Sequence, residues 1–258
     1  MELLLFLRQT LAVAEADIRK LRHDPWELAS RMVQPMLWLL IFGEVFAHSR
    51  AIPTGSLGYL DFMAPGILAQ SVLFVAIFYG VSIIWERDLG VLQKFLVSPA
   101  ARPTLVLGRA LASGVRGLSQ ALIVFLLAFL LDVKLRIGIV PIAGVIVTIV
   151  LGSAVFCTFS LIVACMVKTR ERFMGIGQIM TMPLFFASNA IYPVTMMPDW
   201  LRSIATFNPL TYQVDAMRAF MIQGAPSEYG FGTDFAVQLA VLALLTALAS
   251  RLYPAIVR

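Results

Sequence analysis

Charge is scarce in this chain of 258 residues. Only 14% of the residues are Asp, Glu, Lys or Arg, whereas 60% are hydrophobic and the mean hydropathy is +0.87. Soluble proteins carry about 25% charged residues, and so few charges could not cover a surface that faces water. The composition therefore excludes a soluble or disordered chain and predicts an integral membrane protein.

Cysteine and histidine are also rare. Cys157 and Cys165 share one apolar stretch, where small buried hydrophobic residues are expected and where no metal-ligand spacing exists. His23 and His48 lie at the edges of apolar stretches, and neither a GxSxG nor an HExxH motif occurs, so no catalytic or metal site is predicted. The phosphate-binding motif GxxxxGK[ST] is absent as well. An intramembrane enzyme and an ATPase are therefore both disfavoured.

Six apolar stretches can cross a bilayer, which requires about 20 residues per helix. They are residues 26–47, 62–85, 110–131, 139–167, 173–192 and 235–253. Arg116 lies inside the third stretch, so it is expected to face protein, water or the lipid head groups. The sequence thus predicts one all-α transmembrane domain, residues 1–258, with six transmembrane helices.

The basic residues indicate how these spans are oriented. An even number of crossings puts both termini on one side, and that side carries fifteen of the twenty Lys and Arg residues. Because basic residues concentrate in cytoplasmic segments, both termini are predicted to be cytoplasmic. The same distribution explains the basic residues as topology signals, so nucleic-acid binding is not expected.

Residues 1–24 have the pattern of an amphipathic helix. Their apolar residues at spacings of three and four are Leu4, Leu7, Leu11, Ala14, Ile18 and Leu21. The helix is too polar to span a bilayer and is predicted to lie in the cytoplasmic membrane interface; packing against a soluble partner is the alternative. The segment has no small-residue cleavage site, so no cleavable signal peptide is predicted.

Residues 86–99, between the second and third spans, form the most informative segment. Glu86, Arg87 and Asp88 mark the exit from the membrane, and Gly90 permits a sharp change of direction. A short helix is predicted to follow and to end at Ser98-Pro99. Its apolar face consists of Leu89, Leu92, Phe95 and Leu96. A helix of two turns is unstable alone, so this face must be covered by the chain's own helices or by a groove in a partner protein.

Two regions resemble the membrane subunits of type-2 ABC exporters. The first comprises Glu86-Arg87-x-x-Gly90, Leu92 to Phe95, Ser98-Pro99 and Leu107-Gly108-Arg109. The second comprises Asn189-Ala190-Ile191-Tyr192-Pro193, Met197-Pro198-x-Trp200-Leu201 and Asn208-Pro209-Leu210-Thr211-Tyr212. Within that family the chain looks closest to the daunorubicin-resistance and multidrug efflux branch, and polysaccharide and lipo-oligosaccharide exporters form the neighbouring branch.

The resemblance implies a permease made of two six-helix subunits, either two identical copies or this chain and a paralogue. Two copies of a separate ATPase subunit would bind ATP and Mg, and this chain would hold no cofactor. In that family the short helix after the second span is the cytoplasmic coupling helix. Carried over, Leu89, Leu92, Phe95 and Leu96 would insert into the ATPase; Glu86 and Arg87 would fix the approach, with Gly90 at the bend. The complex would lie among the lipids of a bacterial plasma membrane.

Residues 193–224 are predicted to form short re-entrant helices at the outer face, as the resembled family does. Asn208-Pro209 is a helix cap followed by a first-turn proline, so a helix of about 14 residues should follow and stop before Gly224. Asp215 and Arg218, three residues apart, are predicted to pair on its surface. The site residues assigned to this outer segment are Asn208, Pro209 and Tyr212.

Polar residues within the spans are the candidates for a substrate path between two copies, near spans 1, 2 and 5. They are Glu44, Gln70, Gln178, Asn189 and Tyr192. A charge at mid-bilayer costs about 3 kcal/mol, so Glu44 is expected to face protein, water or the outer interface. Interhelical hydrogen bonding is the alternative role for Gln70, Gln178 and Asn189, and it is also expected of Gln120.

The leading hypothesis is therefore the permease subunit of an ATP-driven exporter of an amphiphilic drug or lipid. Export of a polysaccharide or lipo-oligosaccharide is the alternative within the family. A secondary transporter driven by an ion gradient is the alternative of another class. Such transporters usually show inverted repeats and central charged pairs, and the sequence contains no internal repeat.

Overall fold

The computed structural model describes residues 8–15, 33–50, 52–90, 102–167 and 169–252. Within these ranges the chain forms helices, turns and one isolated β-bridge, which confirms the all-α prediction. The helices are α1 (8–15), α2 (33–49), α3 (Tyr59–Tyr79), α4 (Val81–Asp88), α5 (Arg102–Leu130), α6 (Ile139–Met166), α7 (Arg170–Phe186), α8 (Asp199–Phe207), α9 (Pro209–Met221) and α10 (Phe231–Leu252).

Within the described residues, four helical stretches are long and apolar enough to cross a membrane. They are Tyr59–Asp88, which comprises α3 and α4, together with α5, α6 and α10. These stretches make the chain a multi-pass membrane protein. The predicted first and fifth spans correspond to α2, which contains a π-helical turn at Trp38–Gly43, and to α7, which has 17 residues. The total of six crossings therefore remains a prediction.

Two helix boundaries differ from the predicted spans. α5 begins at Arg102 rather than near residue 110, because Pro103 fits the first turn of a helix and the polar residues that follow continue it. α7 ends at Phe186 rather than at residue 192, and residues 187–190 form a turn. Hydropathy alone extended the fifth span because it does not register the end of a helix inside an apolar stretch.

α3 is the central helix. Nearly all of its side chains are buried, and it packs against α5, α6, α7 and α9. Such burial fits a helix that is apolar on all sides. Gly66 allows the backbone of Ala190 to approach, since a Cβ atom at Gly66 would collide with it. α3 therefore holds the turn after α7 directly against the core.

The connections between helices lie at two opposite ends of the bundle. At one end Lys134 donates its backbone N–H to Asp61 Oδ1 (2.9 Å), and Leu135 forms the β-bridge with Ile222. At the other end α4 reaches the beginnings of α5 and α7 through ion pairs. Following the predicted orientation, the Asp61–Lys134 side is called the outer end and the side where α4 stops is called the inner end.

The helix predicted after Asn208 is confirmed. α9 begins at Pro209, runs for 13 residues and stops at Met221, before Gly224, whose φ of +75° is readily adopted by glycine. α8 precedes it, and the loop 222–230 connects it to α10. α9 packs against α3, α6 and α10.

Candidate functional site

At the inner end, α4 is joined to α5 by a buried ion pair. Arg109 of α5 donates from Nη2 to Glu86 Oε2, and the two residues are only 2% and 7% exposed. A buried charge is tolerated when it is paired. Glu86 therefore faces the inside of the bundle, where its carboxylate links the end of α4 to the first turns of α5.

The next residues of α4 bind to the beginning of α7. Arg170 Nη2 lies 3.0 Å from Asp88 Oδ2, and the Arg170 guanidinium stacks 3.4 Å above the ring of Trp85. Arg87 donates to the backbone oxygen of Val167 (3.4 Å), just after α6. The last turn of α4 is thus connected to α5, to α7 and to the residue that follows α6.

Beyond this anchored turn the chain changes direction. Leu89 is 71% exposed, and Gly90 has a φ of +69°, a conformation that favours glycine. Leu92, Phe95 and Leu96, the other apolar residues of the predicted coupling helix, lie outside the described residues. The described residues of the predicted docking set therefore differ in exposure to a partner. Leu89 is exposed, Arg87 is partly exposed and Glu86 is buried.

At the outer end, the predicted surface pair of Asp215 and Arg218 is wrong. Both side chains are buried, and each binds a different part of the chain. Arg218 donates from Nε to the backbone oxygen of Phe62 (3.2 Å) and from Nη2 to that of Asn189 (2.7 Å). Its guanidinium also stacks 3.7 Å above the Phe62 ring. The three-residue spacing could not reveal this, because α9 is covered on all sides rather than exposed.

Asp215 closes the loop that leads into α10. Its carboxylate accepts hydrogen bonds from the Ser227 hydroxyl (2.8 Å) and from the backbone N–H groups of Glu228 (3.0 Å) and Tyr229 (3.1 Å). Ser227 Oγ also lies 3.1 Å from Asp234 Oδ2 in the first turn of α10. Burial raises the pKa of Glu228, the Asp215 carboxylate raises it further, and Arg218 opposes the shift.

Asn208 connects the ends of two helices. Its Oδ1 accepts the backbone N–H of Leu210 (3.0 Å) and so caps α9, and its Nδ2 donates to the backbone oxygens of Leu184 (2.7 Å) and Ala187 (2.8 Å) at the end of α7. Tyr212 donates its hydroxyl to the backbone oxygen of Thr206 (2.7 Å). The outer-segment residues are thus positioned by hydrogen bonds to neighbouring backbone.

The predicted substrate-path residues do not lie in one place. Glu44 and Gln178 are exposed, Gln70 and Asn189 are buried, and Tyr192 is partly buried with its hydroxyl on the backbone oxygen of Phe186. The backbone oxygen of Asn189 accepts from Arg218, so this residue supports the outer end. Tyr192 lines the outer cavity described below.

A cavity of about 350 Å³ lies instead between α2, α3, α5 and α7. Its walls are Gln34, Ser71, Phe74, Val75, Phe78, Gln120 and Met174. Gln120 is 1% exposed, and its Nε2 has no hydrogen-bond partner in the described chain. The cavity therefore combines stacked aromatic rings, Phe74 on Phe78, with free amide hydrogens. Sequence reasoning expected Gln120 to bond between helices, with a substrate contact as the alternative, and it missed Gln34 and Ser71.

A second, almost wholly apolar cavity of about 750 Å³ lies at the outer end of α7. α8 covers it with Trp200, Ile204 and Phe207, and Tyr192 is at its edge. This cavity is suited to hydrocarbon rather than to charged groups.

Comparison with known proteins identifies similar sequences over most of the chain. The profile of the family described as "ABC-2 type transporter" matches residues 8–222. The daunorubicin resistance ABC transporter permease protein DrrB1 of Streptomyces coeruleorubidus is 28% identical over 233 residues, covering 90% of this chain and 81% of the relative. The putative transport permease ycf38 of Cyanophora paradoxa is 28% identical over 83% of this chain and 74% of its own length. The probable doxorubicin resistance permease DrrC of Mycobacterium tuberculosis strain H37Rv is 24% identical over 85% and 79%, respectively.

Proposed function

The chain belongs to the ABC-2 type transporter family, and we propose that it is the permease subunit of an ATP-driven exporter of amphiphilic compounds. Membership of this family implies an ATPase partner, because the chain has no phosphate-binding motif of its own. The proposal extends this to two ATPase copies that bind ATP and Mg, and to two permease copies, identical or paralogous. We place the complex in the plasma membrane with both termini of this chain in the cytoplasm.

The anchored end of α4 is the observation that carries the proposal. A movement of the ATPase against the short apolar segment after Gly90 could reach the transmembrane helices only if α4, the preceding helix, transmitted it. α4 can do so, because ion pairs join Glu86 to α5 and Asp88 to α7. We therefore propose that Leu89, Leu92, Phe95 and Leu96 insert into the ATPase, that Arg87 and Gly90 set the angle of approach, and that Glu86 transfers the movement inward.

The substrate path is proposed to lie between two copies, near α2, α3 and α7. The cavity at Gln34, Ser71 and Gln120 offers hydrogen-bond donors beside an aromatic wall, a combination suited to a largely apolar compound that carries a few polar atoms. Relatives named for daunorubicin and doxorubicin resistance support an amphiphilic drug as the transported class. Gln70, Gln178, Asn189, Tyr192 and Glu44, the candidates from the sequence, would then have secondary roles along this path or structural ones.

The docking assignment is tested by charge substitution in the segment after Gly90. Leu92→Asp combined with Phe95→Asp should abolish co-purification with the nucleotide-binding subunit, because two carboxylates cannot enter an apolar groove without a large desolvation cost. Co-purification is measured after co-expression of the two subunits and gentle solubilisation, with membrane insertion checked separately.

Gln93→Asp combined with Lys94→Gln is the matched control, since it makes the same segment more negative by the same two charges outside the apolar face. It should leave co-purification unchanged. Normal recovery of the ATPase subunit with the Leu92 and Phe95 variant would refute the docking assignment.

A further inference from the structure

An apolar groove runs along the described surface between α5 and α6. It has a volume of about 780 Å³, and its walls include Val115, Leu122, Phe125, Phe129, Ile142 and Ile146. From Val115 to Phe129 it extends about 21 Å along the axis of α5, at 1.5 Å per residue. This exceeds half of a hydrocarbon core about 30 Å thick, so the groove has room for the acyl chains of one lipid leaflet.

A single cation lies at the outer mouth of this groove. Arg136 is among the lining residues, between Leu135 and Ile137, and its side chain is exposed. Among the described residues no carboxylate lies within 4 Å of its guanidinium. The nearest charges in the sequence are Asp132 and Lys134, both exposed in the same loop. The groove is therefore apolar along its length and positively charged at its end.

The backbone that carries Arg136 is held in place. Arg136 donates its N–H to the backbone oxygen of Met221 (2.8 Å), and Gln223 donates from its backbone to Lys134 (2.9 Å) and from its side chain to Leu135 (2.8 Å). The backbone N–H of Lys134 in turn donates to Asp61 Oδ1. The mouth of the groove is thus preorganised, which lowers the entropic cost of binding.

We propose that this groove is a binding site for an anionic phospholipid, whose acyl chains lie between α5 and α6 and whose phosphate binds Arg136. The guanidinium group is suited to this, because its planar donors match two phosphate oxygens. Charge complementarity selects a lipid with net negative charge over a zwitterionic one, whose ammonium group would oppose the arginine. The bound lipid would fill the space between the two helices and brace the loop that contacts α9.

Quenching by brominated lipids tests the site. Phe129→Trp introduces a reporter at a residue that is 70% exposed beside the groove. The full chain with this change is reconstituted in mixtures of phosphatidylcholine with dibrominated phosphatidylglycerol, or with dibrominated phosphatidylcholine. Quenching of the parent chain is subtracted. The reporter should be quenched more strongly by the anionic lipid than its fraction in the bilayer predicts.

Arg136→Gln in the same background should remove this preference, so that both brominated lipids quench equally. Lys134→Gln removes the same charge from the same loop outside the groove, and it should retain the preference. Equal quenching by the two lipids before any change at Arg136 would overturn the proposal. So would a loss of preference of the same size in the Lys134 variant, since it would indicate attraction by the loop's net charge only.

Discussion

The hydrogen bonds at Ser227 join two buried carboxyl groups, Asp215 and Asp234. The hydroxyl has one hydrogen, which it donates to Asp215, and it accepts the backbone N–H of Gly230 (2.8 Å). Its contact with Asp234 is therefore favourable only if Asp234 supplies a hydrogen. Asp215 accepts three hydrogen bonds, as an ionised carboxylate does. We therefore infer that the pair consists of one carboxylate and one neutral acid.

This assignment predicts different outcomes for two isosteric substitutions. Asp234→Asn keeps a donor toward Ser227 and should hardly change the thermal unfolding midpoint in detergent. Asp215→Asn replaces the ionised acceptor and should destabilise the protein by about 2 kcal/mol, the scale of hydrogen bonds to charged groups. An equal loss of stability in the two variants would show that Asp234 is not the protonated partner.

The partners of Arg218 could not be predicted from residue spacing along one helix. The sequence places Asp215 and Arg218 one turn apart, which is compatible with a surface pair. Their actual partners come from elsewhere in the chain, namely Phe62 in α3, the turn at Asn189 and the loop at Ser227. Nothing local to α9 encodes these contacts. Burial on every side, which only the packed structure provides, decides which partner each charge takes.

At the scale of helices, α4 is the element on which the proposed mechanism depends. Glu86→Gln should weaken its link to Arg109, and loss of one charge from a buried pair typically costs about 3 kcal/mol. The ATPase subunit should still bind this variant, because Leu89 and the following segment are unchanged. ATP hydrolysis should continue while transport falls, since the movement no longer reaches α5.

Two measurements separate this effect from a loss of folding. Adding Arg109→Gln to the Glu86 variant should restore much of the thermal stability without restoring transport. Glu171→Gln, at an exposed carboxylate at the start of α7, should leave both properties unchanged. Full transport by the Glu86 variant at undiminished hydrolysis would contradict the role of α4 as a transmitter.

Helix boundaries were predictable where the signal is local. Asn208-Pro209 and Gly224 located α9 correctly, because a capping side chain, a first-turn proline and a glycine act over a few residues. The end of α7 was not predictable in this way. Asn208, which lies 21 and 24 residues further along the chain, donates to the last backbone oxygens of α7. No sequence pattern near Phe186 predicts that contact.

For the whole molecule, composition and the long apolar stretches were enough to predict an all-helical, multi-pass membrane protein. The position of the intramembrane cavity was not, because Gln34, Ser71 and Gln120 belong to three different helices and meet only through packing. Hydropathy flagged polar residues within spans but could not distinguish Gln120, whose amide lies free beside the cavity, from Gln178 on the exposed side of α7.

The central claim is that this chain moves its substrate only when a separate ATPase pushes on the segment after α4. The most direct test measures uptake of daunorubicin into inside-out membrane vesicles that contain the chain with or without its nucleotide-binding subunit. Uptake above that of vesicles without the chain should require both the subunit and ATP. A proton gradient alone should drive no more uptake than in vesicles without the chain, where this weak base accumulates by protonation. Uptake above that baseline by vesicles that contain the chain alone, driven by the proton gradient, would contradict the account.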